Sequence, residues 1–503
     1  MNAEKFDVGI VGAGLGGLIT AAILSKEGKR VFVLEKNKQI GGCLQSFGLD
    51  GKRFESAVHY MGSLDEDQTL RKIFDYLQIY EKLSLQKLNQ DCFDKIILDN
   101  EVFTMAQGYD NFVRGLSISF PHQQKALEQY IIEVRNVCNH FPLYNMRLGS
   151  NEEKSKVTSY GLKEKLDQLF SDEKLKQVIT GNNQLYAGDY DSMPFYIHAL
   201  IMNSYIEGSW KFKQGSAQLA KLLQDIILQH GGAIYRNQEV VCLKEIDKKI
   251  IYAETKDEAR FFADDFVSNL HPLETYKIVD SDLIRPITLK RITSTKNTIA
   301  AFMVNLSLKE KSIPYPNYNI YYHKDTNVWM DLQEVNQIEP NSYGIFFLQD
   351  PTHPEFASGL SILTYLDITQ IPYGDNTYRT TSYKQSRGMD YENWKEEKST
   401  QIIQQVEKVL PNLKSAILQK NACSPLTYRD YLHVPQGSMY GFQKNVQDLA
   451  NTTYATHTKI KNLFLTGQNI NLHGVLGVSI TAVLTCGSLI GLEYLVNKIN
   501  NQA

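Results

Sequence analysis

Three glycines and one acid near the start of the chain have the types and spacing of a phosphate-binding turn. Gly12, Gly14 and Gly17 form G-x-G-x-x-G after an apolar run, and Glu35 ends a second apolar run about 20 residues later. The first glycine permits a tight turn, the second lets the backbone approach a pyrophosphate, and the third lets a helix pack closely on the sheet. A carboxylate at the position of Glu35 accepts hydrogen bonds from ribose hydroxyls and argues against a 2′-phosphate. The pattern predicts one complete βαβ unit that binds a dinucleotide.

The composition of the chain excludes several other kinds of site. The 503 residues carry a net charge of −3 without a dense Lys/Arg run, so we predict no nucleic-acid partner. The six cysteines form no C-x-x-C pair and no disulfide-dense spacing, which favours a reducing compartment and argues against a metal site. The start of the chain is typical of a strand and turn and not of a secretion signal. We therefore expect a cytoplasmic protein.

The stretch 474–496 is nearly uncharged and is long enough to cross a bilayer. It directly follows a strand and turn signature and is rich in Gly, Ser and Thr, which favours a helix buried inside the protein. We predict that buried helix, with peripheral contact to a membrane surface left open as a partner.

Periodicity and glycine punctuation divide the rest of the chain into segments. The region 67–205 is mainly helical in pattern, whereas β-rich runs such as 298–306 and 360–366 predict a separate antiparallel sheet that forms one wall of a substrate cavity. We predict an α/β fold with a discontinuous Rossmann-type dinucleotide-binding domain and an α+β substrate domain. The predicted segments are 1–66, 206–290 and 456–503 for the dinucleotide domain, 67–205 for a helical lid region, and 291–455 for the β-rich substrate region.

Three separated motifs together resemble one group of flavoenzymes. They are the glycine turn with its continuation to Gly42, the segment 213–216 with Val240 and Val241, and the segment 466–477. Over nearly its whole length the chain resembles the FAD-dependent superfamily of phytoene desaturases, carotene isomerases and retinol saturases, which has an amine-oxidase-like fold. The resemblance implies FAD as the cofactor. It assigns the following cofactor-binding residues: Gly12, Ala13, Gly14, Gly17, Glu35, Lys36, Gly41, Gly42, Val240, Val241, Gly467, Gln468, Gly474, Val475 and Gly477.

Three further stretches, 54–62, 198–208 and 435–441, are similar to the all-trans-retinol 13,14-reductase branch of that superfamily. One position departs from the wider pattern, because many members carry Gly-Asp where this chain has Gly467-Gln468. A neutral amide can still hydrogen-bond a ribityl hydroxyl, so FAD binding is compatible with Gln468.

The resemblance implies a reaction at a carbon–carbon double bond of a hydrophobic polyene such as a retinoid or carotenoid. The cofactor carries the hydride, and the N-terminal turn of the helix that begins near Gly474 stabilises its negative charge. A saturase also needs a proton donor, for which the candidates are His59, Arg429 and His473. NAD(P)H is a candidate electron source. The sequence leaves open the electron partner and the direction of the reaction.

Three alternatives to a saturase follow from the same scaffold. A carotenoid desaturase or isomerase shares the motifs, so sequence alone does not separate it from a saturase. An amine-oxidase-like flavoenzyme is disfavoured because Cys423 lacks the surroundings of a flavin-attachment cysteine. A prenyl-lipid-binding protein without flavin chemistry is disfavoured by the intact glycine turn and Glu35.

Overall fold

Two β-sheets of different construction organise the chain in the computed structural model, which describes residues 6–329 and 340–502. Residues 1–5 of the predicted segment 1–66 and residues 330–339 of the predicted segment 291–455 lie outside the described residues. The strands are β1 Phe6–Val11, β2 Val31–Glu35, β3 Ser46–Leu49, β4 Lys52–Glu55, β5 Met61–Gly62, β6 Leu85–Lys87, β7 Asp94–Leu98, β8 Glu101–Met105, β9 Ser209–Phe212, β10 Ala233–Arg236, β11 Val240–Ile246, β12 Lys249–Thr255, β13 Arg260–Ser268, β14 Val279–Asp280, β15 Ala301–Leu308, β16 Asn319–His323, β17 Ser342–Gln349, β18 Ala357–Tyr365, β19 Ile417–Cys423 and β20 Leu463–Leu465.

Helices cover the faces and edges of these sheets. They are α1 Leu15–Lys26, α2 Thr69–Tyr76, α3 Tyr109–Ser119, α4 Gln124–Asn139, α5 Asn151–Ser155, α6 Leu162–Leu169, α7 Glu173–Ile179, α8 Phe195–Glu207, α9 Ala217–Gln229, α10 Pro272–Ile278, α11 Pro286–Ser294, α12 Met389–Val406, α13 Leu413–Ala416, α14 Pro425–Leu432, α15 Leu449–Thr452, α16 Gly474–Ile490 and α17 Leu492–Asn500.

The first sheet has the strand order β10-β2-β1-β13-β12-β11-β14, and β20 pairs with β13. Strands β10, β2, β1, β13 and β20 run parallel, as expected for strands joined by helical crossovers. Their residues come from the beginning, middle and end of the chain, because β20 returns to the sheet after the second sheet has been completed. The prediction of an α/β fold built on a discontinuous Rossmann-type unit is confirmed.

The second sheet has the order β19-β15-β18-β17-β16-β7-β8 and is mostly antiparallel. Its central strands β15 and β18 are buried along their whole length. Strands β7 and β8 lie within the region whose sequence pattern is mainly helical, and β7 joins β16 in parallel. This pairing places residues near 94 beside residues near 319.

Helix α16 is the nearly uncharged stretch near the end of the chain. It packs against α1, most of its side chains are buried, and Gly491, with a φ of 95°, separates it from α17. The prediction of a buried helix over 474–496 is confirmed for its first part, up to Gly487, whereas the helix ends at Ile490 and residues 488–494 are not buried. Among residues 6–329 and 340–502, no helix is both long enough and apolar enough to span a membrane.

Candidate functional site

A cavity of about 310 Å³ extends from the carboxyl ends of the first sheet to the inner face of the second sheet. At one end it is lined by the glycine turn and by Glu35 at the end of β2. At the other end the second sheet contributes side chains from four adjacent strands, namely Met303, Tyr321, Phe346 and Leu363. The predicted β-sheet wall of the cavity is therefore present.

The glycine turn is built so closely that larger residues do not fit. Gly12 has a φ of 95°, in the left-handed region that favours glycine. A Cβ atom on Gly17 would lie 2.2 Å from the carbonyl oxygen of Gly12. Gly41 donates its N–H to the carbonyl of Ala13 over 2.7 Å, and a Cβ on Gly42 would lie 3.2 Å from the Cα of Gly14. The backbone of this turn is thus exposed directly to the cavity.

Glu35 lies at the floor of this end of the cavity and is only 7% exposed. Its carboxylate accepts hydrogen bonds from the backbone N–H groups of Ala13, at 3.0 Å, and Asn37, at 2.8 Å. Burial raises the pKa of this carboxyl group, and the two N–H donors oppose that effect. The acid therefore holds β2 against the glycine turn while its oxygens line the cavity.

Asn269, at the end of β13, is a site residue that the sequence patterns do not reveal. Its side-chain nitrogen lies 3.4 Å from the carbonyl oxygen of Gly12. A Cβ on Gly16 would lie 2.5 Å from the Asn269 Oδ1 atom, and one on Gly467 would lie 2.7 Å from it. Asn269 thus joins the first glycine turn to the turn after β20. Its only sequence signal is its place at the end of a parallel strand, where sites of this fold are usual.

Two helices point their N-terminal turns into the cavity. Leu15 and Gly16 of α1 and Gly474, Val475 and Gly477 of α16 line its wall. Neither helix has a side chain that caps its N-terminus, so the first N–H groups have no side-chain acceptor there. Such ends favour anionic or electron-rich groups.

Most, but not all, of the residues predicted to bind the dinucleotide through the second and third motifs line the cavity. Val240 lines the cavity, whereas Val241 is 44% exposed and faces away from it. The Lys36 Nζ atom donates to the Tyr378 hydroxyl at 2.8 Å and to the Asp430 carbonyl at 2.9 Å, which holds it beside the cavity. Gln468 lines the wall next to Gly467.

The two histidines predicted as proton donors both line the cavity, but their hydrogen bonding differs. His59 lines the inner cavity, stacks on Phe346 with ring centroids 4.2 Å apart, and its buried Nε2 atom has no hydrogen-bond partner. His473 lines the cavity too, but its Nε2 atom is 2.8 Å from the Leu185 carbonyl oxygen and its ring stacks on Tyr440. Burial lowers the pKa of His59 to about 3 and that of His473 to about 4, so both rings are neutral near pH 7.

The structure does not bring Arg429 to the cavity wall. Its guanidinium contacts the Asp430 carboxylate at 2.7 Å and the carbonyl of Asp375 at 2.9 Å, and it also donates to the carbonyl of Thr377. These contacts hold the loop between β18 and α12, and Arg429 does not line the cavity.

Comparisons with known proteins agree with this architecture. Residues 10–77 match the family model described as an NAD(P)-binding Rossmann-like domain. The chain is 28% identical to human all-trans-retinol 13,14-reductase over 99% of this chain and 87% of that protein. It is 22% identical to prolycopene isomerase 1 of an Oncidium hybrid cultivar, over 99% of this chain and 86% of that protein. Cyclohexylamine oxidase of Brevibacterium oxydans has the same fold, with a TM-score of 0.61, 14% identity, and coverage of 97% and 100% of the two chains.

The fold and the site define a dinucleotide-binding oxidoreductase in which a second sheet closes an apolar cavity over the Rossmann-type unit. The relatives confirm the family predicted from the separated motifs. Over nearly its whole length the chain is similar to all-trans-retinol 13,14-reductases and, at lower identity, to prolycopene isomerases.

Proposed function

We propose that this protein is an FAD-dependent oxidoreductase that saturates a carbon–carbon double bond of a hydrophobic polyene. The observation that carries the proposal is the continuity of one cavity, from the glycine turn and Glu35 to an inner chamber with Met303, Phe346 and Leu363 in its wall. A dinucleotide and an apolar substrate can therefore meet in the same enclosed space. The relatives named as all-trans-retinol 13,14-reductases favour a retinoid as the substrate class.

The residues at the outer end of the cavity fit the proposed cofactor. Gly12, Gly14 and Gly16 line this end of the cavity without side chains, and Glu35 lines the same space. The Gln238 side-chain oxygen is buried without a hydrogen-bond partner, and Gln238 lines the cavity beside Val240. A buried acceptor without a donor is costly in a folded protein, and the amino group of a nucleotide base would satisfy it. Glu35 would hold the ribose hydroxyls and Gln238 the base.

The inner chamber would hold the polyene and exclude water. When bound, FAD supplies hydride transfer to or from carbon. The protein's own residues orient the substrate through apolar contacts, and the flat pair His59–Phe346 offers a surface on which a conjugated chain can stack. The first turn of α16 presents N–H groups to developing negative charge in the same space.

An anaerobic reaction tests the function directly. The purified holoprotein is reduced with dithionite, all-trans-retinol is added, and flavin reoxidation is followed together with polyene absorbance. We expect reoxidation coupled to loss of polyene absorbance and formation of a dihydro product. Conversion of a cis polyene to its trans isomer without net hydrogen addition would instead identify an isomerase. Bound reduced flavin that is not reoxidised by any polyene, together with the absence of any isomerised product, would reject both.

The cofactor assignment has its own test. A valine at Gly14 places a side chain in the turn, where even a Cβ would lie 2.7 Å from the Asn269 side-chain nitrogen. We expect Gly14→Val to be purified without flavin. The matched control is Gly48→Val, since a Cβ on Gly48 meets no atom within 4 Å. A Gly14→Val protein with a wild-type flavin content would contradict this placement.

A further inference from the structure

Asp94 is a fully buried acid next to the inner cavity. It begins β7, and the parallel register pairs it with Asn319 of β16. Its Oδ1 atom accepts from the Asn319 side chain at 2.9 Å, and its Oδ2 atom accepts from Asn182 at 3.0 Å. The Tyr60 hydroxyl donates to the same Oδ2 atom at 2.8 Å. A neutral cage of amides and a phenol thus surrounds this carboxyl group.

A short chain of hydroxyl groups connects Asp94 to the cavity. The Tyr60 and Tyr321 hydroxyl oxygens are 2.8 Å apart, and both residues line the cavity. Tyr321 lies two residues after Asn319 on β16, so both side chains are on the same face of the strand. The three groups come from separate parts of the chain and form one continuous path, from Asp94 through Tyr60 to Tyr321.

Which group donates in each hydrogen bond of this path depends on whether Asp94 is protonated, because each phenol has one hydrogen to donate. When Asp94 is ionised, Tyr60 donates to Asp94 and Tyr321 donates to Tyr60, which leaves no phenol hydrogen pointing into the cavity. When Asp94 is protonated, it donates to Tyr60, Tyr60 donates to Tyr321, and the Tyr321 hydrogen is free to point at a substrate. The protonated state therefore stores a proton at the cavity wall.

We infer that Tyr321 donates the proton that completes saturation of the polyene, with Tyr60 and Asp94 as the relay behind it. This inference rests on the proposed function, in which a reduced flavin dinucleotide is the hydride donor. The new C–H bond forms between the Tyr321 proton and the electron pair left on the substrate carbon next to the one that received hydride. Tyr321 then takes the Tyr60 proton, Tyr60 takes the Asp94 proton, and the path ends with Asp94 as a carboxylate. Solvent reprotonates Asp94 before the next turnover.

The electrostatics of the region agree with this role. Burial raises the pKa of Asp94 to about 6, and burial also raises the pKa values of the Tyr60 and Tyr321 phenols, so that they stay neutral. Within residues 6–329 and 340–502, the other titratable groups that interact with Asp94 include the Cys92 thiol and the Tyr205 phenol, both of raised pKa and therefore neutral at pH 7. Lys95 follows Asp94 on the strand but donates to Tyr318 on the opposite face, at 2.6 Å.

A set of conservative variants separates the relay from simple packing. Tyr321→Phe keeps the ring and removes the donor, and we expect saturation of all-trans-retinol to slow about 100-fold with unchanged flavin content. The matched control is Tyr322→Phe, the next residue on β16, whose ring stacks on Tyr343 with centroids 4.7 Å apart and lies outside the cavity wall. This control should keep the wild-type rate.

The pH profile and deuterium labelling report the role of Asp94. The wild-type rate should decline as pH rises through about 6, since the protonated acid is the active form, and Asp94→Asn should abolish that limb of the profile. In D₂O the hydrogen on N5 of a reduced flavin also comes from solvent, so the wild type should add one deuterium to each of the two carbons, each on a single face. Tyr321→Phe should lose the stereospecificity at the carbon that is protonated. Wild-type rate and stereospecificity in Tyr321→Phe would overturn the inference.

Infrared difference spectroscopy of the holoprotein tests the relay without turnover. We expect a carboxylic acid C=O band that disappears as pH rises through about 6, is absent from Asp94→Asn, and shifts in Tyr60→Phe. If the wild type fails to saturate any polyene, the proposed function fails, and the infrared result alone then decides whether the relay exists. An Asp94 group that stays ionised from pH 4 upwards would overturn the relay even in an active saturase.

Discussion

The Glu35 carboxylate accepts a hydrogen bond from the backbone N–H of Ala13 over 3.0 Å, which joins the end of β2 to the turn that follows β1. The same carboxylate accepts the N–H of Asn37. One buried acid therefore fixes the shape of the glycine turn and faces the space that a ribose would occupy. In the proposed assignment, the local structure and ligand binding both depend on this carboxylate.

Replacement of Glu35 should therefore affect both properties. Glu35→Ala leaves the N–H groups of Ala13 and Asn37 buried without acceptors, at a cost of about 1–3 kcal/mol for each group. We expect lower stability to urea and at least a tenfold weaker dinucleotide affinity, as measured by fluorescence titration. Glu35→Gln retains one acceptor oxygen and should lose less of both. Equal dinucleotide affinity for Glu35→Ala and wild type would contradict the assignment of the ribose site.

Gly17 packs so closely that one added methyl group must move the backbone. Its Cβ position lies 2.2 Å from the Gly12 carbonyl oxygen, and that oxygen belongs to the turn itself. We expect Gly17→Ala to lower the free energy of unfolding by about 1–3 kcal/mol and to reduce the bound dinucleotide. Gly48→Ala, in open space, should change the stability by less than about 0.5 kcal/mol. Identical urea midpoints and flavin contents for the two variants would show that the turn adapts.

Local patterns in the sequence were sufficient to predict the elements to which we assign dinucleotide binding. The glycine turn, the strand that ends in Glu35 and the buried helix after Gly474 each depend on residues close together in the chain. The return of β20 to the first sheet was also predictable, since its strand and turn pattern matches the start of the chain.

The inner chamber was less predictable because its residues come from distant segments. Asp94, Tyr60 and Tyr321 meet only because β7 pairs with β16, and β7 is a five-residue strand within a mainly helical region. Arg429 was predicted to lie in the site but does not line the cavity. Its guanidinium is oriented by Asp430 and by carbonyls of a loop more than 50 residues away in the sequence. No pattern within one segment carries such information.

The ion pair between Arg387 and Asp430 is buried, with an Nη2–Oδ2 distance of 2.7 Å. Removing one partner of such a pair leaves an uncompensated charge, which costs about 3–5 kcal/mol. Because Arg429 also contacts Asp430, we expect Arg387→Met to cost about 3 kcal/mol in urea unfolding. The control Lys163→Met removes an exposed helical pair with Asp167 and should cost less than about 0.5 kcal/mol. Similar losses for both variants would indicate that Asp430 is solvated.

Glu55 makes stability depend on pH. It is 7% exposed and accepts the backbone N–H of Ser216 at the start of α9, and burial raises its pKa to about 7. Because the folded-state pKa lies above the unfolded value near 4.5, the folded protein binds this proton more tightly. The stability from this group is complete below about pH 4.5 and is lost as pH rises to about 7.

The substitution Glu55→Gln imitates the protonated acid and should flatten that decline. The slope attributable to Glu55 is at most about 1.4 kcal/mol per pH unit, measured by urea unfolding between pH 4.5 and 7. Glu66→Gln, at an exposed position, is the control and should retain the wild-type slope. If the two variants show the same pH dependence, the carboxyl of Glu55 titrates as if it were in water, and its bond to Ser216 contributes little to the docking of α9.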